Sequence, residues 1–163
     1  MQRQQWKLGA LSVAALAALS VAVLSGNGEA GPTPSKDARQ VMASSKVDKD
    51  PYTVELKAPA SCKAGSECKA DISLQAKLEF HVNDKFPIKF KGADPPGEGV
   101  SYTKGIVKKE DGKFGEKSGT LPIGFTVAKA GKARVGGVFS FSVCTETNCL
   151  MEKIEVEVEV EAK

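Results

Sequence analysis

Two runs of strict alternation meet at a short polar loop closed by two cysteines, and this stretch constrains the fold most tightly. Over residues 133–143, Val135, Phe139, Phe141 and Val143 hold odd positions while Arg134, Ser140 and Ser142 hold even ones. After the loop Cys144-Thr145-Glu146-Thr147-Asn148-Cys149, Leu150, Ile154, Val156, Val158 and Val160 hold even positions, with Lys153, Glu155, Glu157, Glu159 and Glu161 at odd ones. A period of two on both sides of a polar loop is the pattern of a β-hairpin. With the four inner loop residues as the connection, Cys144 faces Cys149, Val143 faces Leu150 and Phe139 faces Ile154, so the apolar faces coincide. Glu152 opposite Phe141 is the one misfit, and a bulge beside the loop is expected to relieve it. Directly opposed residues have β-carbons within disulfide range, so a Cys144–Cys149 bond is expected, and parity puts it on the polar side of the hairpin near its tip. Closing so short a loop contributes roughly 2 kcal/mol through the unfolded chain. An exposed disulfide is also one that a partner thiol can reach, so a staple and a redox pair are both open.

The rest of the chain repeats the period. Tyr52, Val54, Leu56 and Ala58 alternate with Thr53, Glu55 and Lys57, and the clearest run carries Ile72, Leu74, Ala76, Leu78, Phe80 and Val82 on one parity. Phe86, Ile88 and Phe90 follow, with Pro87 marking an edge or a strand start. A weaker run spans residues 100–108, and Leu121, Ile123, Phe125 and Val127 form another. Asn83-Asp84, Asp94-Pro95-Pro96-Gly97, Glu110-Asp111-Gly112-Lys113 and Lys129-Ala130-Gly131 separate them as turns. Seven half-buried strands from residue 51 to residue 163, without helical periods, predict an all-β, seven-stranded antiparallel immunoglobulin-like β-sandwich. The Cys and Trp core pattern of antibody domains is missing, since the single tryptophan is Trp6.

Upstream of the sandwich the composition changes. Arg3 and Lys7 precede an apolar run from Leu8 to Leu24, and small residues follow at 25–30, so residues 1–30 read as a signal peptide or an uncleaved anchor. Residues 31–50 are rich in Gly, Pro, Ser and charge and read as a flexible linker. Export means an oxidising compartment, periplasmic or extracellular, where an even count of four cysteines favours disulfides. Cys62 and Cys68 flank a five-residue loop, so Cys62–Cys68 with Cys144–Cys149 is the favoured pairing, and a swapped pairing across the sandwich is its competitor. With 23 basic and 20 acidic side chains scattered along the chain, nothing points to nucleic acid. Membrane contact is expected only through an uncleaved signal.

The residues that carry a resemblance are Phe139-Ser-Phe-Ser-Val-Cys144-Thr-Glu-Thr-Asn-Cys149-Leu-Met-Glu-Lys before an alternating valine strand, together with Phe80-His81-Val82-Asn83 and Phe86-Pro87. This order of features, over about residues 52–162, resembles the amino-terminal domain of the DsbD thiol:disulfide interchange family. The resemblance implies an immunoglobulin-like sandwich whose last hairpin holds a redox pair, here Cys144 and Cys149. It further implies electron exchange with the thiols of an envelope protein, without a bound cofactor. Leu150-Met151 stands where the family has a proline-containing continuation, and Cys62 and Cys68 are additional to its pattern. A loop that covers and uncovers the pair is needed for control, and the Pro- and Gly-rich residues 92–99 are the expected cap. The alternative is a non-catalytic envelope binding module in which both disulfides are staples.

Other candidates carry less. His81, the single histidine, falls on polar parity beside a turn and reads as a solvated strand-end residue. Glu155, Glu157, Glu159 and Glu161 form an acidic row of the kind that protects a sheet edge. The cysteine spacings depart from zinc knuckles, so no metal is expected. No spacing supports a hydrolase triad or a phosphate loop.

Overall fold

The computed structural model describes residues 44–163; the expected signal peptide and the linker up to residue 43 lie outside them. In chain order the strands are β1 (Lys46–Lys49), β2 (Tyr52–Lys57), β3 (Glu67–Ala76), β4 (His81–Val82), β5 (Lys89–Gly92) and β6 (Val100–Tyr102). They continue with β7 (Ile106–Lys108), β8 (Lys113–Phe114), β9 (Ser118–Val127), β10 (Gly131–Cys144) and β11 (Cys149–Ala162). One sheet runs β1-β2-β3-β9-β6 with β8 beside β9, and the second runs β11-β10-β5-β7 with β4 beside β10. The architecture is an all-β, two-sheet antiparallel sandwich, as the alternation predicts.

Among the described residues the strand count is eleven where the alternation gives seven, and each difference has a physical cause. The run from Ile72 to Val82 does not stay in one strand: β3 ends at Ala76, and the chain crosses to the other sheet, where β4 pairs with β10. The crossing is a turn closed by the Phe80 amide donating to the Lys77 carbonyl at 3.0 Å, with Leu78 in the left-handed region at φ 52°. Leu78 is therefore 77% exposed instead of facing the core. The weak run over residues 100–108 divides in the same way, β6 joining β9 in one sheet and β7 joining β5 in the other. Phe86 and Pro87 precede β5, which starts only at Lys89. Ordered structure also begins before residue 51, because β1 pairs with β2 although its own residues are almost all polar and exposed.

The core lies between the sheets. Tyr52, Val54 and Leu56 of β2, Ile72 and Leu74 of β3, and Leu121, Ile123 and Phe125 of β9 meet Phe90, Val135, Phe139, Phe141 and Val143 of the second sheet, all at 0–1% exposure. Tyr52 packs edge-on to Phe141 with centroids 4.8 Å apart, and Phe139 stacks on Phe141 at 5.1 Å. At the other end of β10 the Tyr102 hydroxyl ties the sheets together, donating to the Gly136 carbonyl at 2.5 Å and accepting from the Gly136 amide at 2.9 Å. Glycine is required at Gly137, where a β-carbon would collide with the Lys91 carbonyl on the neighbouring strand. Every buried residue named here belongs to one compact unit, Arg39–Lys163.

Candidate functional site

The hairpin of β10 and β11 forms in the register expected from the sequence, with Cys144 opposite Cys149, Val143 opposite Leu150 and Phe139 opposite Ile154, through fourteen consecutive pairs. Cys144 and Cys149 are disulfide-bonded with α-carbons 4.0 Å apart. The tip is held by Thr145, whose amide donates to the Asn148 carbonyl at 2.8 Å and whose hydroxyl accepts from the Asn148 amide at 3.1 Å. Thr145 thus satisfies the donors that a tight connection would leave unpaired.

The bulge expected at Glu152 does not occur. Glu152 sits directly opposite Phe141 in an unbroken ladder, and its carboxylate reaches the side of the sandwich, where the Lys49 ammonium of β1 meets it at 3.5 Å. Lys49 also lies 5.4 Å over the Tyr52 ring. An inward glutamate is tolerated because it stands at the margin of the core with a cation in reach. Beneath it the fully buried Tyr52 hydroxyl has no hydrogen-bond partner, and burial pushes the Tyr52 phenol above its ordinary value.

The disulfide is not on the wet side in both halves, as parity alone suggests. Cys149 is exposed, but Cys144 is only 4% exposed, and Ser140 and Ser142 on the same face are at 5% and 0%. The cause is the neighbours of β10, which is an inner strand carrying short side chains on this face. Ser140 lies between Lys153 and Lys89, Ser142 is opposite Met151, and Cys144 lies between Cys149 and His81. Long side chains on both flanking strands cover short ones between them.

Two polar groups therefore stand beside the buried half of the bond. The Ser142 hydroxyl oxygen is 3.9 Å from Cys144 Sγ. His81, half-buried, is the direct cross-strand partner of Cys144, which puts their β-carbons about 5 Å apart on one face. His81 opens onto a cleft of about 380 Å³ that it shares with Asp84, Lys109, Phe114 and Glu116. Its sequence parity was legible, but its partner was not, because β4 is two residues long and belongs to the sheet opposite β3. The turn before it is fixed by Lys117, whose ammonium donates to the Leu78 and Phe80 carbonyls at 3.0 and 2.7 Å.

The expected cap is elsewhere. Residues 92–99 lie against the far part of β10, where the Ala93 amide donates to the Gly136 carbonyl at 2.9 Å, eight positions before Cys144. The segment paired with the disulfide strand is β4, through His81 opposite Cys144, and the tip of the β8–β9 hairpin lies against β4, its Glu116 carbonyl accepting from the Val82 amide at 2.7 Å.

The second pair is built differently. Cys62 and Cys68 are bonded, with α-carbons 5.5 Å apart, and both are buried at 4% and 6%. Cys62 also bridges to Ala162, its carbonyl accepting from the Lys163 amide at 2.9 Å, while the Ala64 amide donates to the Lys163 carbonyl at 2.9 Å. This loop pins the end of β11. The acidic row on β11 is on the outer face, where Glu157 and Glu159 pair with Arg134 and Lys132 of β10 at 3.6 and 2.8 Å.

No family model matches the chain, and no curated protein matches it. Among solved structures it is similar to the ASH / PapD-like domain of human CEP192 (PapD-like domain 7), with a TM-score of 0.35 and 9% sequence identity. The match covers 72% of this chain and 90% of that one, and the likeness concerns the sandwich fold alone. The two disulfides point to an oxidising, extracytoplasmic location.

Proposed function

We propose that the domain exchanges electrons with partner thiols in the cell envelope through Cys144 and Cys149. The observation that carries this reading is the asymmetry of the bond: one cysteine is exposed at a hairpin tip, and the other is buried beside a hydroxyl and opposite a histidine. A second observation supports it. Fourteen cross-strand pairs already fix the register of the hairpin, so the clip at its tip is not needed to set the pairing and adds only about 2 kcal/mol, the low end of what a disulfide contributes.

The chemistry follows from the exposures. A thiolate of a reduced partner attacks Cys149 Sγ, the S–S bond breaks, and Cys144 leaves as a thiolate with the bonding pair. A second partner thiolate then attacks the partner sulfur of the mixed disulfide, forming the partner's own disulfide and releasing the Cys149 thiolate. Two electrons have entered the domain, and each thiolate takes up one proton from water or a neighbouring acid. The reverse sequence reduces a more oxidising disulfide elsewhere. This role is the one implied by the resemblance to the DsbD amino-terminal domain, and no cofactor takes part.

The competing reading is a stapled binding module. Glu146 at the tip favours it, because reactive cysteines usually sit in electropositive surroundings. Differential alkylation of both pairs in thiol buffers of graded potential decides between them. For an exchanging pair, Cys144–Cys149 titrates well above about −300 mV while Cys62–Cys68 stays below it. If both pairs resist reduction to below about −300 mV, the exchange reading is wrong.

A further inference from the structure

The outer face of the second sheet carries a row of like charges that its fold does not require. Lys153 of β11, Ser140 of β10, Lys89 of β5 and Lys108 of β7 lie in one cross-strand register. The three lysines span about 14 Å over four strands. Lys89 and Lys108 are directly opposed, an arrangement that costs stability. Lys91 adjoins the row, and Lys85 and Lys109 line a cleft beside it with Phe86 and Pro87, where four lysines outnumber the acidic Asp84 and Glu110. Among the described residues none of these six lysines is in an ion pair, whereas Lys132 and Arg134 higher on the same face are. Edge protection accounts for Lys108 on the outermost strand but not for Lys89, which lies on an inner one.

Two of the three large apolar side chains that the described residues leave exposed lie on this same face. Met151, 72% exposed, is two positions before Lys153, and Ile106, 48% exposed, is opposite Lys91 and two positions before Lys108. The lysine row is thus flanked by one apolar side chain on each outer strand.

We propose that this face docks on an anionic lipid surface, with the lysines at the phosphate level and Met151 and Ile106 entering the headgroup boundary. Protein interfaces are depleted in lysine and built around arginine and aromatic anchors, and this row has none. A flat array of flexible point charges suits phosphates that are themselves spread over a plane. The polarity of the face sets the orientation. Glu155, Glu157, Glu159 and Glu161 run up the other half of β11 and outnumber Arg134 and Lys132, which pair with two of them, so that half stays net negative, the lipid repels it, and the end bearing Cys149 tilts toward the bilayer. This inference does not depend on the redox reading.

Flotation of the Arg39–Lys163 unit, which omits the apolar Leu8–Leu24 run, with vesicles of phosphatidylglycerol and phosphatidylcholine tests it. Wild type is expected to float with the mixed vesicles, to remain behind with pure phosphatidylcholine, and to be released by high salt. Replacing Lys89, Lys108 and Lys153 with alanine is expected to weaken partition roughly 100-fold, at about five-fold per lysine. Replacing Lys46, Lys69 and Lys113 on the first sheet changes the net charge equally and is expected to leave partition near wild type. Equal losses in the two triple variants, binding to neutral vesicles, or no vesicle binding by wild type would each overturn the proposal. The last outcome, with capture by an acidic protein, would assign the face to a protein partner.

Discussion

Removing the Ser142 hydroxyl tests the chemistry of the buried sulfur directly. Ser142 is fully buried, and its oxygen lies 3.9 Å from Cys144 Sγ, two positions along the same strand and on the same face. In the disulfide that sulfur is a neutral, weak acceptor. Once the bond opens it becomes a thiolate, and a hydrogen bond to a charged group contributes about 1.5–3 kcal/mol against about 0.5–1.5 for a neutral one. The difference between the midpoints, roughly 1.25 kcal/mol, is about one pKa unit. Ser142→Ala is therefore expected to raise the Cys144 thiol pKa by about one unit, leave Cys149 unchanged, and slow opening of the disulfide by small thiols several-fold because the leaving group is poorer. The folded, oxidised state should lose less than about 1 kcal/mol, since a neutral acceptor is all that is forfeited. The assay is cysteine-resolved alkylation of the reduced protein across a pH series, read by mass spectrometry, with Ser142→Thr as the rescue. A Cys144 pKa that is the same in wild type and Ser142→Ala, or a shift of equal size at Cys149, refutes the reasoning. So does faster alkylation at Cys144 than at Cys149, because the attack order rests on their exposures.

Other outcomes follow from burial and register. Tyr52→Phe should be neutral or stabilising by up to about 1 kcal/mol in urea unfolding, because the hydroxyl is buried without a partner; a loss above that would mean it bonds to Lys49 or Glu152 in solution. Replacing Cys144 and Cys149 with serine should cost about 2 kcal/mol, the entropic share of a short loop. The same change at Cys62 and Cys68 should cost more, because both sulfurs are buried and their loop holds Lys163; equal unfolding midpoints would contradict this. Gly137→Ala should destabilise by roughly 2 kcal/mol, since the new methyl meets the Lys91 carbonyl, which cannot rotate away as a side chain would. A midpoint like that of wild type would show that the two strands separate at little cost.

How the candidate site reads from sequence depends on how local each feature is. The hairpin register was legible from residues 133–160 alone, because a period of two on both arms leaves one alignment in which the apolar faces coincide, and that alignment fixes Cys144 opposite Cys149. The loop between Cys62 and Cys68 was legible for the same reason, being closed by neighbours in the chain. The fold class followed from the repeated alternation. By contrast, the burial of Cys144 and Ser142 is invisible to parity, which describes a strand with one neighbour and not an inner strand flanked on both sides.

Only the tertiary structure decided which segments lie beside the disulfide. The crossing at residues 77–80 takes His81 out of the run that begins at Ile72 and sets it against Cys144, while residues 92–99, plausible as a cap by composition, go to the other end of β10. The division of the run at residues 100–108 likewise brings Lys108 to Lys89 and completes the basic row with Lys153. Alternation specifies that a residue faces in or out, because that follows from the geometry of one strand. It does not specify which strand lies alongside, because pairing between distant segments is set by the packing of two whole sheets around a shared core.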